Sequence, residues 1–346
     1  MRTEALPRSP SEVAYLAQQL SMAVPAAVSQ RFLRLALGRG VRPEPRDIAA
    51  LERRLFGLYA RDLENVRSGL YPRSLLFQLP AREYARRVPQ MLRDFPRVMR
   101  RSGKKDWRDL PDAGEAKQYP PYFRRTFHWQ SDGYLSRASA ERYDVGVEFL
   151  FGGTADVMRR QVIPPITRHL REREPAAGPA RLLDVACGTG RTLAQIHVAH
   201  PALRLTGLDL SPYYVQHART VLDAVPDASF VAENAEAMPF KDDWFDVVTS
   251  VYLFHELPRN ARRNVLREML RVLRPGGLCV IEDSAQRVES PEMMFFLERF
   301  PEDFHEPFYT DYLGDDLAEA AREVGFEVAG AEAVFVAKVV TLRKPE

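Results

Sequence analysis

Apolar and polar positions follow two rhythms along this chain, and the change from one to the other divides it. Up to residue 110 the apolar side chains recur at helical spacing. Ser11 precedes a run with Val13, Leu16, Ala17 and Leu20 on one face, and Asp47 is read as the cap of a run carrying Ile48, Leu51, Leu55, Leu58 and Tyr59. Prolines at 43, 45, 72, 80, 89, 96 and 111 punctuate this part, which predicts several short helices joined by loops. Residues 119–151 lose the rhythm and are crowded with rings, among them Tyr122, Phe123, Phe127, His128, Trp129, Tyr134 and Tyr143. A helical segment over 154–173 follows, closed by the Pro, Ala and Gly run at 175–179.

Beyond that break, short apolar runs alternate with amphipathic ones. Strands are predicted at 181–186, 203–208, 228–232, 245–251, 277–282, 326–330 and 333–341, with helices near 190–199, 212–224, 259–273 and 314–324. Such alternation specifies an α/β fold, a seven-stranded, mostly parallel Rossmann-like sheet with helices on both faces. The last two strands are close in sequence and are expected to form an antiparallel ribbon at one edge. Three parts result: a helical N-terminal domain over 1–118, an aromatic lid or linker with its helix over 119–174, and a ligand-binding α/β domain over 175–346.

The near-neutral total, 49 Lys plus Arg against 47 Asp plus Glu, hides an asymmetry. Residues 1–140 hold 26 basic and 14 acidic side chains, and residues 141–346 hold 23 and 33. A basic half raises the question of nucleic acid or anionic lipid, but its arginines are dispersed along helical patterns, as solvated faces and partners of the acidic half would be. No stretch of about 18 apolar residues occurs, and the first twenty residues lack the pattern of a secretory signal. With Cys187 and Cys279 as its two cysteines, the chain is expected in the cytoplasm, without a disulfide scaffold. The histidines show no metal-ligand spacing, so no metal is expected.

In an open α/β sheet ligands sit beyond the carboxyl ends of the strands, so the turns there carry the chemistry. The first strand ends Leu183-Asp184-Val185-Ala186-Cys187-Gly188-Thr189-Gly190, with glycines where backbone must pass close to a ligand. The second ends at Asp209, 19 residues beyond Gly190, placed to accept hydrogen bonds from a ribose diol. Together they indicate a nucleoside-containing cofactor. A dinucleotide turn wants a third glycine where this chain has Leu193, and the carboxylate of Asp184 is unwelcome beside a pyrophosphate but suits the ammonium end of an amino-acid cofactor.

The segments LLDVACGTGRTL, GLDLSPYYVQHAR, AENAEAMPFKDDWFDVVTSVYLFHELP and REMLRVLRPGGLCVIEDS resemble, in order and spacing, the successive motifs of the class I S-adenosylmethionine-dependent methyltransferases, nearest to the ubiquinone/menaquinone-biosynthesis branch. The resemblance covers about residues 140–341. It implies S-adenosyl-L-methionine as cofactor, with Asp184, Ala186, Gly188 and Gly190 around its methionine part, Asp209 on the ribose, Leu210, Asn234 and Ala235 at adenine, and Ser250 beginning the methyl-donor side. Asn234 stands where the family usually has Asp, and its side-chain carbonyl accepts the same bond without a charge.

After the fourth strand, the first residues of the turn 250–258 are expected to line the methyl-donor side, with Tyr252 an expected substrate contact. His255 is read either as packing at a helix start or as a substrate contact or base, and Glu282 at the end of the fifth strand either as a turn cap or as a group facing the acceptor. His128, Trp129 and Tyr134 are the expected substrate contacts of the lid. The acceptor is expected to be a flat or apolar small molecule such as a quinol, phenol or lipid-like product. An RNA or DNA methyltransferase using the basic half, and a non-catalytic S-adenosylmethionine-binding protein, are the alternatives. Peripheral membrane contact stays open.

Overall fold

The computed structural model of the protein describes residues 7–36, 42–78, 81–110, 118–172 and 178–346. Its centre is a seven-stranded sheet made of β1 (Arg181–Val185), β2 (Arg204–Asp209), β3 (Ser229–Ala232), β4 (Phe245–Val251), β5 (Leu273–Ser284), β6 (Glu327–Val334) and β7 (Ala337–Arg343), in the order β3-β2-β1-β4-β5-β7-β6. β1 to β5 pair in parallel, and β7 runs antiparallel to both β5 and β6. The order reverses between β1 and β4, which opens a crevice at their carboxyl ends.

The strands are apolar on both faces because both are covered. Along β1, Leu182 enters one core layer and Leu183 and Val185 the other, all fully buried. At roughly 1.5–3 kcal/mol for each such side chain, this register is strongly held.

The N-terminal part departs from expectation. In place of several short helices it forms three long ones, α1 (Pro10–Ala36), α2 (Pro45–Arg67) and α3 (Ala81–Lys104). Pro89 and Pro96 lie inside α3. The carbonyls they leave without donors belong to Ala85 and Leu92, four residues before each, and both residues are exposed, where water can satisfy them. Pro80 and Pro111 lie outside the described residues. On α1 the buried face is Glu12, Tyr15 and Gln19, whereas Val13 and Leu20 are exposed. Asp47 is at the third helical position of α2, accepting the backbone N–H of Glu44 at 2.8 Å, so Glu44 is the cap.

The polar face of α1 is buried because it meets a charged cluster. Asp62 on α2, fully buried, accepts the hydroxyls of Tyr15 (2.5 Å) and Tyr71 and the guanidinium of Arg160. Arg160 belongs to the helical segment before β1, made of α4 (Arg137–Leu150), α5 (Ala155–Arg159), a 3-10 turn and α6 (Ile163–Glu172). Breaking such a buried pair from one side typically costs about 3–5 kcal/mol, so the cluster fastens α1 and α2 to the α/β part. Arg54 and Arg61 reach Glu292 and Glu332 in the acidic half. Residues 173–177, with most of the expected 175–179 linker, lie outside the described residues.

α7 (Arg191–Ala199) and α8 (Pro212–Val221) pack in the same core layer as α2, α5 and α6, α9 (Arg259–Val272), α12 (Tyr309–Gly314) and α13 (Leu317–Glu323) contribute to the other, and α10 (Met294–Leu297) and α11 (Phe300–Asp303) are short. The 314–324 helix begins only at Leu317, where Asp316 accepts the N–H of Ala318. The predicted strand 333–341 straddles the β6–β7 turn, which falls at Phe335-Val336. That turn carries no Gly, Pro or Asn, with Phe335 itself at φ 57°, and Gly330, the last residue of the predicted strand 326–330, sits in a register irregularity within β6.

Candidate active site

After β1 the chain turns into α7 through Ala186 (φ 58°), Gly188 (φ 55°) and Gly190 (φ 79°). Cys187 N–H donates to Leu208 O (2.9 Å), which ties the turn to the end of β2. The two glycines serve different ends. A Cβ on Gly188 would stand in open space at the cleft wall, whereas one on Gly190 would lie 2.7 Å from Leu222 Cδ1 and 3.1 Å from Ala218 Cβ. Gly190 therefore admits α8 and is not on the cleft wall, contrary to expectation.

Asp209 closes the other side, half-buried, accepting the N–H groups of Gly188 (2.9 Å) and Ser211 (2.8 Å). Loss of water around it pushes its pKa up to about 6 against those two bonds. Ala186, Leu210, Asn234 and Ala235 join Gly188 and Asp209 on a cleft of about 100 Å³. Asn234 Oδ1 accepts the N–H of Glu236 (2.9 Å).

Two expected members are not on this wall. Asp184 is buried and accepts the hydroxyl of Thr249 on β4 (2.8 Å); burial pushes its pKa up to about 7, that bond opposes the rise and the charge of Asp209 adds to it. Ser250 is fully buried and donates to Val185 O (2.9 Å). Both hold β1 to β4, because strand alternation points them into the sheet's layers, away from its open end.

The aromatic segment roofs the cleft. Tyr134 stacks between Phe123 and Phe127 at 5.7 and 5.6 Å between centroids, and the hydroxyl of Tyr122 donates to Glu236 (2.5 Å). Tyr134 thus belongs to the cleft, and its hydroxyl donates to Glu256 Oε1 (2.5 Å). This corrects its expected place at the acceptor.

Beyond Glu256 opens a second cavity of about 540 Å³. Its walls are mostly apolar, from Met91, Phe95 and Met99 of α3, Phe149 of α4, Phe300 of α11 and Phe304. His128 and Trp129 line it as expected, the indole N–H donating to Asp303 O (3.1 Å). Tyr143, Tyr252 and Glu256 line both compartments. Phe151 stacks on Tyr252 at 5.5 Å, and Tyr252 has φ 58°.

His255, buried in the cavity wall, sets Nδ1 2.7 Å from Asp283 Oδ1. Burial depresses its pKa, but the charge and hydrogen bond of Asp283, with Glu256 nearby, outweigh this and raise it. Asp283 is held by the N–H groups of Phe254 (2.6 Å) and Ser284 (2.7 Å). The pair has the form of a base with its orienting carboxylate, Nε2 being the ring atom left for a ligand.

Glu282 does not join it. β5 alternates between core layers, Leu278 and Val280 in one, Cys279 and Ile281 in the other, so Glu282 and Asp283 point to opposite faces. Glu282 is fully buried, and burial pushes its pKa up to about 8, with Tyr252 and Arg159 opposing. Of the two strand-end acids, it is Asp283 and not Glu282 that meets His255. Sequence reasoning missed Glu256, although that residue adjoins His255, and Glu306, which sits in a stretch without a motif.

A family profile described as "Methyltransferase domain" matches residues 182–277. The chain is 34% identical over 167 residues to an O-methyltransferase of Aspergillus nomiae, covering 47% of this chain and 71% of that one. It is 31% identical over 208 residues to the demethylmenaquinone methyltransferase of Thermotoga maritima, covering 55% and 85%. To the 2-methyl-6-phytyl-1,4-hydroquinone methyltransferase of Synechocystis it is 34% identical over 118 residues, covering 34% and 36%.

Proposed function

Because this chain belongs to the class I S-adenosylmethionine-dependent methyltransferases, in the ubiquinone/menaquinone-biosynthesis branch, we propose that it methylates a flat, largely apolar small molecule held in the 540 Å³ cavity. The observation that carries this reading is the wall common to the two compartments, where Tyr143, Tyr252 and Glu256 face both. Among the described residues these three are the ones common to both walls, and there an acceptor in the cavity meets a cofactor in the cleft.

The cleft suits S-adenosylmethionine. Gly188 leaves open the space a side chain would fill, Asp209 is placed for ribose hydroxyls, and Leu210, Asn234 and Ala235 are placed for adenine. That cofactor, when bound, supplies a methyl group already activated by sulfonium charge. The protein's task is then chiefly to align the acceptor and exclude water, which the apolar walls and the aromatic roof do. His255, oriented by Asp283, takes the proton of an acceptor hydroxyl or acidic carbon.

The acceptor class is a quinol, phenol or lipid-like product. The lining supports it, as do the quinol-related names of the Thermotoga and Synechocystis enzymes. The division at 118/119 and 174/175 is one of roles: the sheet selects cofactor, residues 119–172 roof the cleft and wall the cavity, and the N-terminal helices wall its far side through Ala23, Leu51, Leu55 and α3. Among the described residues no helix is long and apolar enough to cross a membrane. Two buried free thiols are in keeping with a cytoplasmic location.

The test is transfer of labelled methyl from S-adenosylmethionine into a fractionated cell extract. Label is expected in the organic-soluble small-molecule fraction. Label confined to RNA, DNA or protein overturns the reading.

A further inference from the structure

Two residues that line the acceptor cavity, His128 and Glu256, form a cluster with the buried Glu306. His128 comes from the 3-10 turn Phe127–Trp129, Glu256 from the turn after β4, and Glu306 from the loop before α12. One potential ligand atom from each lies within 4.8 Å of the others. His128 stands between the two carboxylates, Nδ1 3.0 Å from Glu306 Oε1 and Nε2 3.6 Å from Glu256 Oε1.

Glu306 is the member that asks for an explanation. It is 2% exposed, and neither of its oxygens accepts a hydrogen bond. Burial pushes its pKa well up, and the charges of Glu256 and Asp283 add to the effect. A carboxylate in that position is strongly unfavourable until a proton or a cation joins it. The opposing group is delivered deliberately: His128 and Trp129 both hold φ near 55°, at 53° and 57°, a conformation that side-chain-bearing residues seldom adopt.

The geometry points to a divalent metal site formed by His128, Glu256 and Glu306. One imidazole nitrogen with two carboxylates selects a first-row ion such as Mn2+, Fe2+ or Zn2+. Ca2+ prefers a larger all-oxygen shell, and monovalent copper seeks sulfur. Three protein ligands leave coordination positions open for a substrate oxygen. Because His128 and Glu256 line the cavity and Glu256 also lines the cleft, those positions lie where acceptor and cofactor meet. The hydroxyl of Tyr134, donating to Glu256 Oε1, holds that ligand in orientation. An ion held there would bind a hydroxyl oxygen of the acceptor and lower its pKa, so that its proton passes to His255 near neutral pH. That role rests on the acceptor reading; binding of the ion does not. The sequence gives no sign of the site, because its ligands lie at 128, 256 and 306, far outside any local ligand spacing.

The test uses the full chain, stripped with a chelator, dialysed and titrated with Mn2+ while free Mn2+ is followed by electron paramagnetic resonance. One ion per chain is expected, with affinity weakened at least about tenfold by Glu306→Gln and by His128→Gln. The His128 variant changes a partly exposed side chain, so it serves if the Glu306 variant does not fold; unchanged melting temperature and S-adenosylmethionine affinity certify either. No binding of Mn2+, Co2+ or Zn2+ at millimolar concentration, or equal binding by the variants, overturns the site. If Mn2+ binds but label enters no small molecule, the site stands and the acceptor reading falls. If label enters a small molecule at full rate in chelated protein that binds no ion, the acceptor reading stands and the site falls.

Discussion

The cofactor cleft and the acceptor cavity share a wall but are built in opposite ways. Beneath its aromatic roof the cleft is assembled from the ends of β1, β2, β3 and β4, and part of what it offers is backbone: left-handed turns at Ala186 and Gly188, and amide groups of Gly188 and Ser211 gathered on Asp209. The cavity is assembled from side chains drawn from α3, the 3-10 turn at 127–129, α4, the 252–256 turn, α11 and the β6–β7 turn. Backbone recognition of this kind tolerates little change and serves one ligand, whereas a cavity made of rings and methionines changes its shape with each substitution. One fold can thereby keep its cofactor while its acceptor varies.

With His255 as the proposed base, proton transfer belongs to the cavity side, and the largest effect should follow from breaking it there. His255→Ala is expected to lower turnover by about 10²–10⁴-fold, the usual contribution of a positioned base. S-adenosylmethionine affinity should stay within a few fold, because His255 lines only the larger cavity. Steady-state methyl transfer beside calorimetry reads both quantities. Equal loss of affinity would show that the two compartments are not separable at this wall.

A smaller, paired effect sharpens the division. Asp209→Ala should cost about 1–3 kcal/mol of cofactor binding, the usual penalty for removing a charged acceptor, with little further change once cofactor saturates. Trp129→Ala should do the reverse, depressing turnover while affinity for the cofactor stays within a few fold, since the indole lines the cavity and is held by Asp303 O. Crossed results would exchange the assignments of the two compartments.

The same contrast explains what could be read beforehand. Strand-end topology makes the cleft local in sequence, so Gly188, Asp209, Leu210, Asn234 and Ala235 could be named from four motifs and all reach one wall. Register decides the rest. Asp184, Ser250 and Glu282 share those motifs but point between strands or to the far layer, a difference of one residue that no motif expresses. In the cavity, His128 and Trp129 were legible as rings with a polar atom, while Glu306 was not, because its meaning lies in a neighbour 178 residues away. In the fold, β1 and β4 stood out through their apolar runs. The β6–β7 turn was misplaced because its residues are apolar, and α3 was divided because prolines on an exposed face are tolerated.

The smallest expected effect concerns the basic half, which would make a third functional region if it bound nucleic acid or anionic lipid. Several of its arginines are committed to the molecule itself. Arg54 donates to Glu292, Ser290 and Phe335 O, Arg61 pairs with Glu332, Arg67 with Glu12, Arg87 with Glu141 and Arg101 with Asp109. Pairs of this kind cancel at short range the field that would gather phosphates, leaving α3 as the part with most charge towards solvent. Binding to generic RNA, DNA or anionic vesicles at physiological salt is therefore expected to be no tighter than about 10⁻⁵ M, with a shallow salt slope. Fluorescence anisotropy and vesicle sedimentation across a salt series check this. Tight binding whose logarithm falls by about 0.9 for every phosphate contacted would mean that the α3 arginines act outwards. The cavity beneath that helix would then have to be read as the seat of a base or lipid chain presented by the bound partner.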